Sequence, residues 1–466
     1  MSIFKACDIR GKVGTELAPL MMTDLGRAMA TILRRSQLSH APPPSLIVAG
    51  DFRLSTPELK RAFILGAREC GARLLDLGQV PTPVARFAFR ELLPNALAII
   101  TASHNPADYN GLKLQFSPRP VTPEEIQCLK TLIARRDFDF APGSLESVDV
   151  VPRYRHWILS HDPVQGLRVA VDAGNGAFSE LAPDLLAALG FHVVPLFCQI
   201  DGRFPNRSPN SAIAENLTAL RKQVVESHAH FGIAFDGDGD RVAFIDHRGR
   251  PVPYDKAVVL LATDVLSHEG ASLPPEKRKI VYEINCSQAV PDELRRLGAT
   301  PIIERAGHAF ITARMIDEDA LFGGEVSGHF FFRTLGGSDD GLYAAIRMGR
   351  ILAEHAPSTL GALADSVPQY HPTPVQRIPL DPTSAKKIVE QIRRKAHRDG
   401  LPVLEIDGVR VQYDIGWGLA RVSITEPVIS LRFEAYRAED LRTVIEQFLR
   451  PAPELRDEVF RRLHLQ

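Results

Sequence analysis

Phe231-Gly-Ile-Ala-Phe-Asp-Gly-Asp-Gly-Asp-Arg241 opens as an apolar run and ends in Asp236, Asp238 and Asp240, separated only by single glycines. The apolar part reads as a buried strand of an α/β layer. Two carboxylates ~4 Å apart repel by about 1 kcal/mol in water and about 4 kcal/mol near a protein surface. Three of them need a cation, and the glycines let the backbone fold tightly enough for all three to reach one. Arg241 adds an anion-seeking guanidinium beside it. A metal and an arginine side by side at a strand end suit the handling of phosphate. Gly-Asp runs also form solvated turns, but three alternating aspartates directly after an apolar strand favour metal binding. The spacing excludes an EF-hand, which needs Gly and Glu where this chain has Arg241 and His247. A phosphatase with an aspartyl nucleophile also places Asp-x-Asp after a strand, and on these residues alone it stays open.

Outward from that loop, short apolar runs alternate with helical periodicity. Ser45 to Ala49 and Ala96 to Ile100 read as buried strands, Thr23 to Arg35 and Pro57 to Cys70 as helices. The cycle restarts at Leu167 to Asp172 with a helix from about Glu180 to Leu189, and again at Lys279 to Ile284 with a helix from Gln288 to Leu297. Such units predict α/β layers. The last hundred residues differ. A helix from about Thr383 to Arg398 precedes strands at Val409 to Tyr413, Leu419 to Ser423 and Val428 to Ala435, with a final helix from near Glu439. Adjacent strands without intervening helices predict a small α+β domain with an antiparallel sheet. At 466 residues the chain is too long for one core. Polar or Pro-containing breaks near 141–152, 247–254 and 367–382 suggest domains at 1–150, 151–250, 251–366 and 367–466.

Composition is that of a globular protein, 45% hydrophobic and 24% charged, with a net charge of −1 that suggests neither a nucleic-acid nor a membrane partner. The beginning of the chain lacks the apolar segment of a signal peptide, and no run approaches the ~20 residues of a membrane span. Cys7, Cys70, Cys128, Cys198 and Cys286 are scattered without a Cys-x-x-Cys pair. They read as free thiols in a reducing compartment, so a cytoplasmic location is expected.

Three further polar loops carry candidate chemistry. Thr101-Ala-Ser-His-Asn-Pro106 follows the strand at Ala96 to Ile100, the usual place for chemistry in α/β sheets. Ser103 is the candidate nucleophile, His104 and Asn105 supply polarity, and Lys113 is placed to balance charge on a phosphorylated serine. In Gly323-Gly-Glu-Val-Ser-Gly-His329, an extended backbone would point Glu325, Ser327 and His329 the same way, suited to sugar hydroxyls. In Arg421-Val-Ser-Ile-Thr-Glu-Pro427, Arg421, Ser423 and Thr425 would form a cradle for a phosphate dianion.

TASHNP, DGDGDR, GEVSGH and RVSITEP, in this order, resemble the motif loops of the α-D-phosphohexomutases, nearest the bacterial phosphomannomutase/phosphoglucomutase branch. Asp8-Ile-Arg-Gly11, Asp51-Phe-Arg-Leu-Ser55, Val80-Pro-Thr-Pro83, Asp172-Ala-Gly-Asn-Gly176, Phe204-Pro-Asn206, Ala306-Gly-His308 and Arg432-Phe-Glu434 extend the resemblance along essentially the whole chain. It implies a heart-shaped protein of three similar mixed α/β domains and a C-terminal α+β domain, with one motif loop from each meeting in a cleft. Ser103 would be a phosphoserine that, with Asp236, Asp238 and Asp240, coordinates one Mg²⁺ per chain. Its phosphoryl group would pass to a hexose 1- or 6-phosphate through a hexose 1,6-bisphosphate. Arg10, His104, Lys113, Arg241, His308 and His329 would serve catalysis, with Glu325, Ser327, His329, Arg421, Ser423 and Thr425 binding substrate. A monomer or weak dimer is expected.

Two departures stand out. Cys7 replaces a usual aromatic residue, and Asn285, in Glu283-Ile-Asn285, replaces a lysine thought to assist proton transfer. Asparagine neither gives nor takes a proton at neutral pH, so His329, His308 or Arg305 is expected to cover the loss. Leu431-Arg-Phe-Glu434 favours dual glucose/mannose specificity, while Val326 matches neither common specificity cue. The alternatives are a phosphoglucosamine mutase and a weakly active or non-catalytic phosphosugar-binding homologue.

Overall fold

Three times along the chain a buried parallel strand runs into a polar loop and returns as an antiparallel neighbour. The computed structural model describes residues 3–37, 42–116, 118–161, 163–422 and 427–465. In the first sheet the strand Ala96–Ile100 lies parallel to Ser45–Gly50 and antiparallel to Tyr109–Phe116. In the second, Phe231–Phe235 lies parallel to Arg168–Asp172 and antiparallel to Val242–Asp246. In the third, Phe322–Gly324 lies parallel to Lys279–Glu283 and antiparallel to Phe330–Phe332. The loops that carry Ser103, the aspartates and Glu325 are therefore equivalent positions of one repeated plan. All residues of Ala96–Ile100, Phe231–Phe235 and Phe322–Gly324 are buried. This is why they read as continuous apolar runs instead of alternating ones.

The fourth sheet is antiparallel, with Val428–Ala435 and Gly416–Val422 at its centre and Val409–Tyr413 beyond. The expected class, three mixed α/β sheets followed by a C-terminal antiparallel α+β unit, is the observed one. Helix Pro19–Arg35 starts earlier than the periodicity suggested, because Pro19 is suited to a first turn that needs no amide donor. The chain does not end on one helix: Leu441–Phe448 is followed by Pro453–Arg462, where Pro453 starts a second helix in the same way.

A single apolar core runs from Ile47 and Leu97 of the first unit through Phe231 and Ile233 of the second to Phe322 and Leu342 of the third. The C-terminal unit has its own core around Val411, Leu431 and Phe448. It meets the third unit at a small seam of Ile284, Trp417 and Leu419. Arg410 lies over the Trp417 ring at 3.8 Å and donates to Ile284 O at 2.7 Å. Glu434 accepts from Trp417 Nε1 at 2.7 Å and from Gln288 N at 2.8 Å. The last unit thus grips the segment that carries Asn285. Trp417→Ala should remove about 3–5 kcal/mol of stability. Because the seam is small, calorimetry should show a low-temperature C-terminal transition separating from the rest; an unshifted single transition contradicts this.

Candidate active site

Ser103 sits fully buried with φ +51°, a left-handed conformation that costs a non-glycine residue about 1–3 kcal/mol unless its surroundings impose it. The surroundings do. The buried Arg53 guanidinium donates to four carbonyls of the loop, those of Ser103 and Asn105 at 2.7 Å each, Pro106 at 2.6 Å and Tyr109 at 3.1 Å. Asp51 holds Arg53 Nε at 3.0 Å and accepts from Thr56 and Thr101 hydroxyls at 2.7 Å. Thr101 Oγ1 in turn accepts from Ser103 N at 2.9 Å. The result aims Ser103 Oγ at Asp236 Oδ2, to which it donates at 2.9 Å. Sequence reading used Asp51 and Arg53 only as a motif; their position just past the buried strand Ser45–Gly50 was the available signal.

The aspartate loop closes on itself. Asp236 Oδ1 accepts from Gly239 N at 3.0 Å and Arg241 N at 3.2 Å. Gly237 is required by the neighbour: a Cβ there would lie 2.5 Å from Ser103 O. All three carboxylates are buried, each offering an oxygen within 4.8 Å of the others. Lys113 reaches Asp238 Oδ2 at 2.7 Å and also pairs with Asp240. Its ammonium is thus engaged with aspartates and does not stand free beside Ser103. Thr82 latches Asp238 by its hydroxyl at 2.7 Å and its amide at 2.9 Å. Asp238 Oδ1 and Asp240 Oδ1 remain buried without a hydrogen-bond donor. These oxygens fit a cation held with Asp236 and Ser103.

The segment from Glu325 to His329 is not extended as expected. Gly323 and Gly324 pair with Phe331 and Phe330, so the chain must reverse immediately, and Gly328 N donates to Glu325 O. The turn splits the three side chains. Glu325 and Ser327 stay together, hydroxyl to carboxylate at 3.1 Å. His329 instead faces the aspartate loop, where Arg241 Nε donates to its Nε2 at 2.8 Å. With Nε2 accepting, Nδ1 carries the hydrogen, and Asp339 Oδ2 lies 2.6 Å from it. Asp339 is paired on its other oxygen with the buried Arg86. Neither Asp339 nor Arg86 was anticipated.

A cleft of about 770 Å³ opens in front of these loops. Arg10, His104, Arg241, His308, Glu325, Ser327 and His329 line it, while Ser103, Lys113 and the aspartates lie buried behind them. Arg10 donates to Asn105 Oδ1 at 2.9 Å, and His104 Nδ1 is 3.4 Å from Ser103 Oγ. Lys5, Arg377, Glu283 and Asn285 also line the cleft, and Lys5 and Arg377 were not foreseen. Arg421 pairs with Asp407 at 2.6 Å in its own unit. Ser423 and Thr425 lie outside the described residues. Arg305 stacks on Phe310 at 3.6 Å, while His308 and His329 line the same cleft as Asn285.

Residues 1–140, 152–249 and 253–370 match the alpha/beta/alpha domains I, II and III of phosphoglucomutase/phosphomannomutase, and residues 381–450 match its C-terminal domain. The chain belongs to the phosphoglucomutase/phosphomannomutase family. It is 37% identical over 445 residues to a phosphomannomutase/phosphoglucomutase of Pseudomonas aeruginosa, covering 95% of this chain and 94% of that protein. A Neisseria gonorrhoeae phosphoglucomutase is 34% identical, with 96% and 94% covered. The crystal structure of a phosphoglucomutase/phosphomannomutase family protein from Burkholderia thailandensis superimposes with a TM-score of 0.88 at 36% identity, covering 96% of each chain. Phosphohexomutases are generally metal-dependent, and this chain carries the acidic cluster for it. No helix among the described residues is long and apolar enough to cross a membrane.

Charge in this family member's site is sorted sharply. Burial, then Asp238 and Asp240, push the Asp236 carboxyl upward. Burial alone would raise Asp240 too, but Lys113, Arg86 and Arg241 override it and hold it low. Burial and neighbouring cations depress His308 and His329 well below the usual imidazole range, and Arg241 followed by burial does the same for His104. All three are therefore neutral at pH 7. Glu283 is pushed up to about 8 by burial and then by Glu325.

Two expectations follow. Gly237→Ala must displace the Ser103 carbonyl, and a misplacement of about 1 Å costs on the order of 10²-fold in rate. Steady-state kinetics should show that loss with the circular-dichroism spectrum retained. Glu283 binds a proton in the folded state that the unfolded chain releases between about pH 4.5 and 8, so stability falls as pH rises through that window. Glu283→Gln removes the proton, so its Tm advantage over the parent protein should widen from pH 5 to pH 8.

Proposed function

We propose that the chain interconverts hexose 1-phosphate and hexose 6-phosphate, with glucose and mannose as the sugars, through phosphorylated Ser103 and a hexose 1,6-bisphosphate. The observation that carries this reading is the meeting of Ser103 Oγ with Asp236 at 2.9 Å behind a cleft whose lining includes Arg10 and Arg241. A nucleophile, a metal-capable carboxylate cluster and a sugar-sized space are thereby in register. Asp236, Asp238, Asp240 and the Ser103 phosphate would hold one Mg²⁺, which supplies charge neutralisation for a loose phosphoryl transition state.

The chain's own residues divide the remaining work. The phosphoryl group leaves Ser103 Oγ and bonds to the free O1 or O6 of the bound hexose phosphate. The proton of that hydroxyl passes to His329 Nε2, a neutral base whose Nδ1 lies 2.6 Å from Asp339 Oδ2. Lys113, paired with Asp238 and Asp240, offsets the charge that stays on the departing serine oxygen until a phosphoryl group returns to it. Arg241 releases His329 Nε2 and turns its guanidinium to the transferring group. Glu325 and Ser327 hold sugar hydroxyls in either orientation, and Arg10 and His104 steady the phosphate near Ser103. Arg421 trades Asp407 for the phosphate that is not reacting, with Ser423 and Thr425 assigned beside it. The bisphosphate then reorients in the cleft, and its other phosphoryl group returns to Ser103.

Intact-mass measurement tests the covalent step. The protein should carry one phosphoryl group that survives hydroxylamine and is absent from Ser103→Ala. Label lost to hydroxylamine would assign an aspartyl phosphate and sink the reading. Chelation should abolish turnover, Mg²⁺ should restore it, and turnover of the dephosphorylated protein should depend on added glucose 1,6-bisphosphate.

A further inference from the structure

Two motifs of the second unit, Asp172-Ala-Gly-Asn-Gly176 and Phe204-Pro-Asn206, take no part in the steps above, yet both lie against the reacting loops. Asp172 ends the strand Arg168–Asp172 beside Phe231–Phe235, much as Asp51 follows Ser45–Gly50 beside Ala96–Ile100. Each of these aspartates holds a buried arginine. Arg207 Nε donates to Asp172 Oδ2 at 2.9 Å, and its Nη2 donates at 2.8 Å to Phe235 O, the carbonyl directly before Asp236. Asp172 Oδ1 accepts from Gly174 N at 2.8 Å. Gly174, at φ +55°, packs against the guanidinium: a Cβ there would stand 2.6 Å from Arg207 Cζ. On the far side of Asp236, Ala177 N donates to Gly237 O at 3.0 Å. The backbone before and after Asp236 is thus held by the first motif together with Arg207.

Three residues before Arg207, the Phe204 ring centre lies 5.1 Å from the Arg53 guanidinium that shapes the serine loop. The far end of the same ring is 3.5 Å from where a Cβ on Gly237 would stand. Phe204 adopts φ +52°, which L side chains rarely do, and its amide is held by Asp201 O at 2.9 Å. Asn206 Nδ2 donates to Asn175 Oδ1 at 2.8 Å, tying the second motif to the first. One short segment therefore leans on the arginine of the serine loop and supplies the arginine of the aspartate loop. We infer that residues 204–207 are the positioning element that sets the register between Ser103 and the metal-capable carboxylates. Arg207 places the carboxylates, and Phe204 sets the spacing of the two loops. This rests on the mutase reading above. Both side chains are buried and neither lines the cleft, so they act through the backbone they hold and not on the sugar.

The test reads Mn²⁺ binding to the dephosphorylated protein by titration calorimetry. Alongside it run steady-state kinetics with glucose 1-phosphate, Mg²⁺ and glucose 1,6-bisphosphate. Arg207→Lys keeps a charge beside Asp172 but loses the planar fork. It should weaken Mn²⁺ binding by about tenfold or more and lower kcat by about tenfold or more, with KM for glucose 1-phosphate within about twofold of the parent. Gly174→Ala pushes on the same guanidinium and should cause the same losses. Because both act through one group, the double variant should be no more than about twofold worse than either single one. Phe204→Leu should lower kcat by about tenfold while Mn²⁺ binding stays within about twofold. Parent-like Mn²⁺ binding in folded Arg207→Lys, losses that multiply in full in the double variant, or parent-like kcat in Phe204→Leu overturns the inference and leaves the mutase reading standing. Should Arg207→Lys not fold, Gly174→Ala decides on the same readouts. No turnover of any hexose phosphate by the parent protein overturns the mutase reading and this inference with it.

Discussion

Three carboxylates packed within 4.8 Å and shut away from solvent are the constraint to which the first three units answer. Left alone, such groups repel one another and lose their hydration, a cost of several kcal/mol for each ion. The compensation is drawn from across the chain. Lys113 and Thr82 come from the first unit, and His329, with Nδ1 3.7 Å from Asp240 Oδ1, comes from the third. Arg86 of the first unit adds its charge to Asp240. The aspartate loop is thus stable only where these units converge, so the charge problem and the domain arrangement have one solution. A phosphorylated serine and a divalent cation would add nearly equal and opposite charge to the same cluster.

Convergence is achieved by repetition. A parallel strand delivers each loop at its carboxyl end, and an antiparallel return strand forces the loop to be short. Short loops on rigid strands hold side chains to the tolerance phosphoryl transfer demands. The same geometry explains the glycines between the aspartates: at Gly237 a neighbouring loop's carbonyl occupies the space a side chain would fill.

Strands buried on both faces were legible because nothing polar interrupts them, and the antiparallel C-terminal sheet because its strands follow one another without helices. The aspartates were legible because three alternating carboxylates after an apolar strand have few other uses, and Ser103 because its turn follows a buried strand within a motif that resembles the family's. The sugar-loop turn was not. Alternation at Glu325, Ser327 and His329 implies an extended segment, but the pairing of Phe322–Gly324 with Phe330–Phe332 overrides local spacing. Asp51 and Arg53 were hidden for a different reason. A buried arginine saturated by backbone carbonyls leaves no pattern in sequence, since its partners are carbonyls that every residue possesses. Lys5 and Arg377 reach the cleft from remote segments, which only the folded topology brings together.

The units are unequal in how they are fastened. One apolar core binds the first three, whereas the fourth keeps a separate core and touches the third through Ile284, Trp417 and Leu419. Around that seam Arg410, Arg432 and Glu434 bind the backbone of Ile284, Asn285 and Gln288. These bonds attach the C-terminal unit to Asn285 itself, to Ile284 before it and to Gln288 three residues on. Glu283 begins the same segment. The unit that carries Arg421 is therefore tied to the strand end that carries Glu283 in the cleft wall. The C-terminal unit and the cleft wall are joined through the backbone from Ile284 to Gln288, while the serine and aspartate loops remain on the part of the molecule that shares a core.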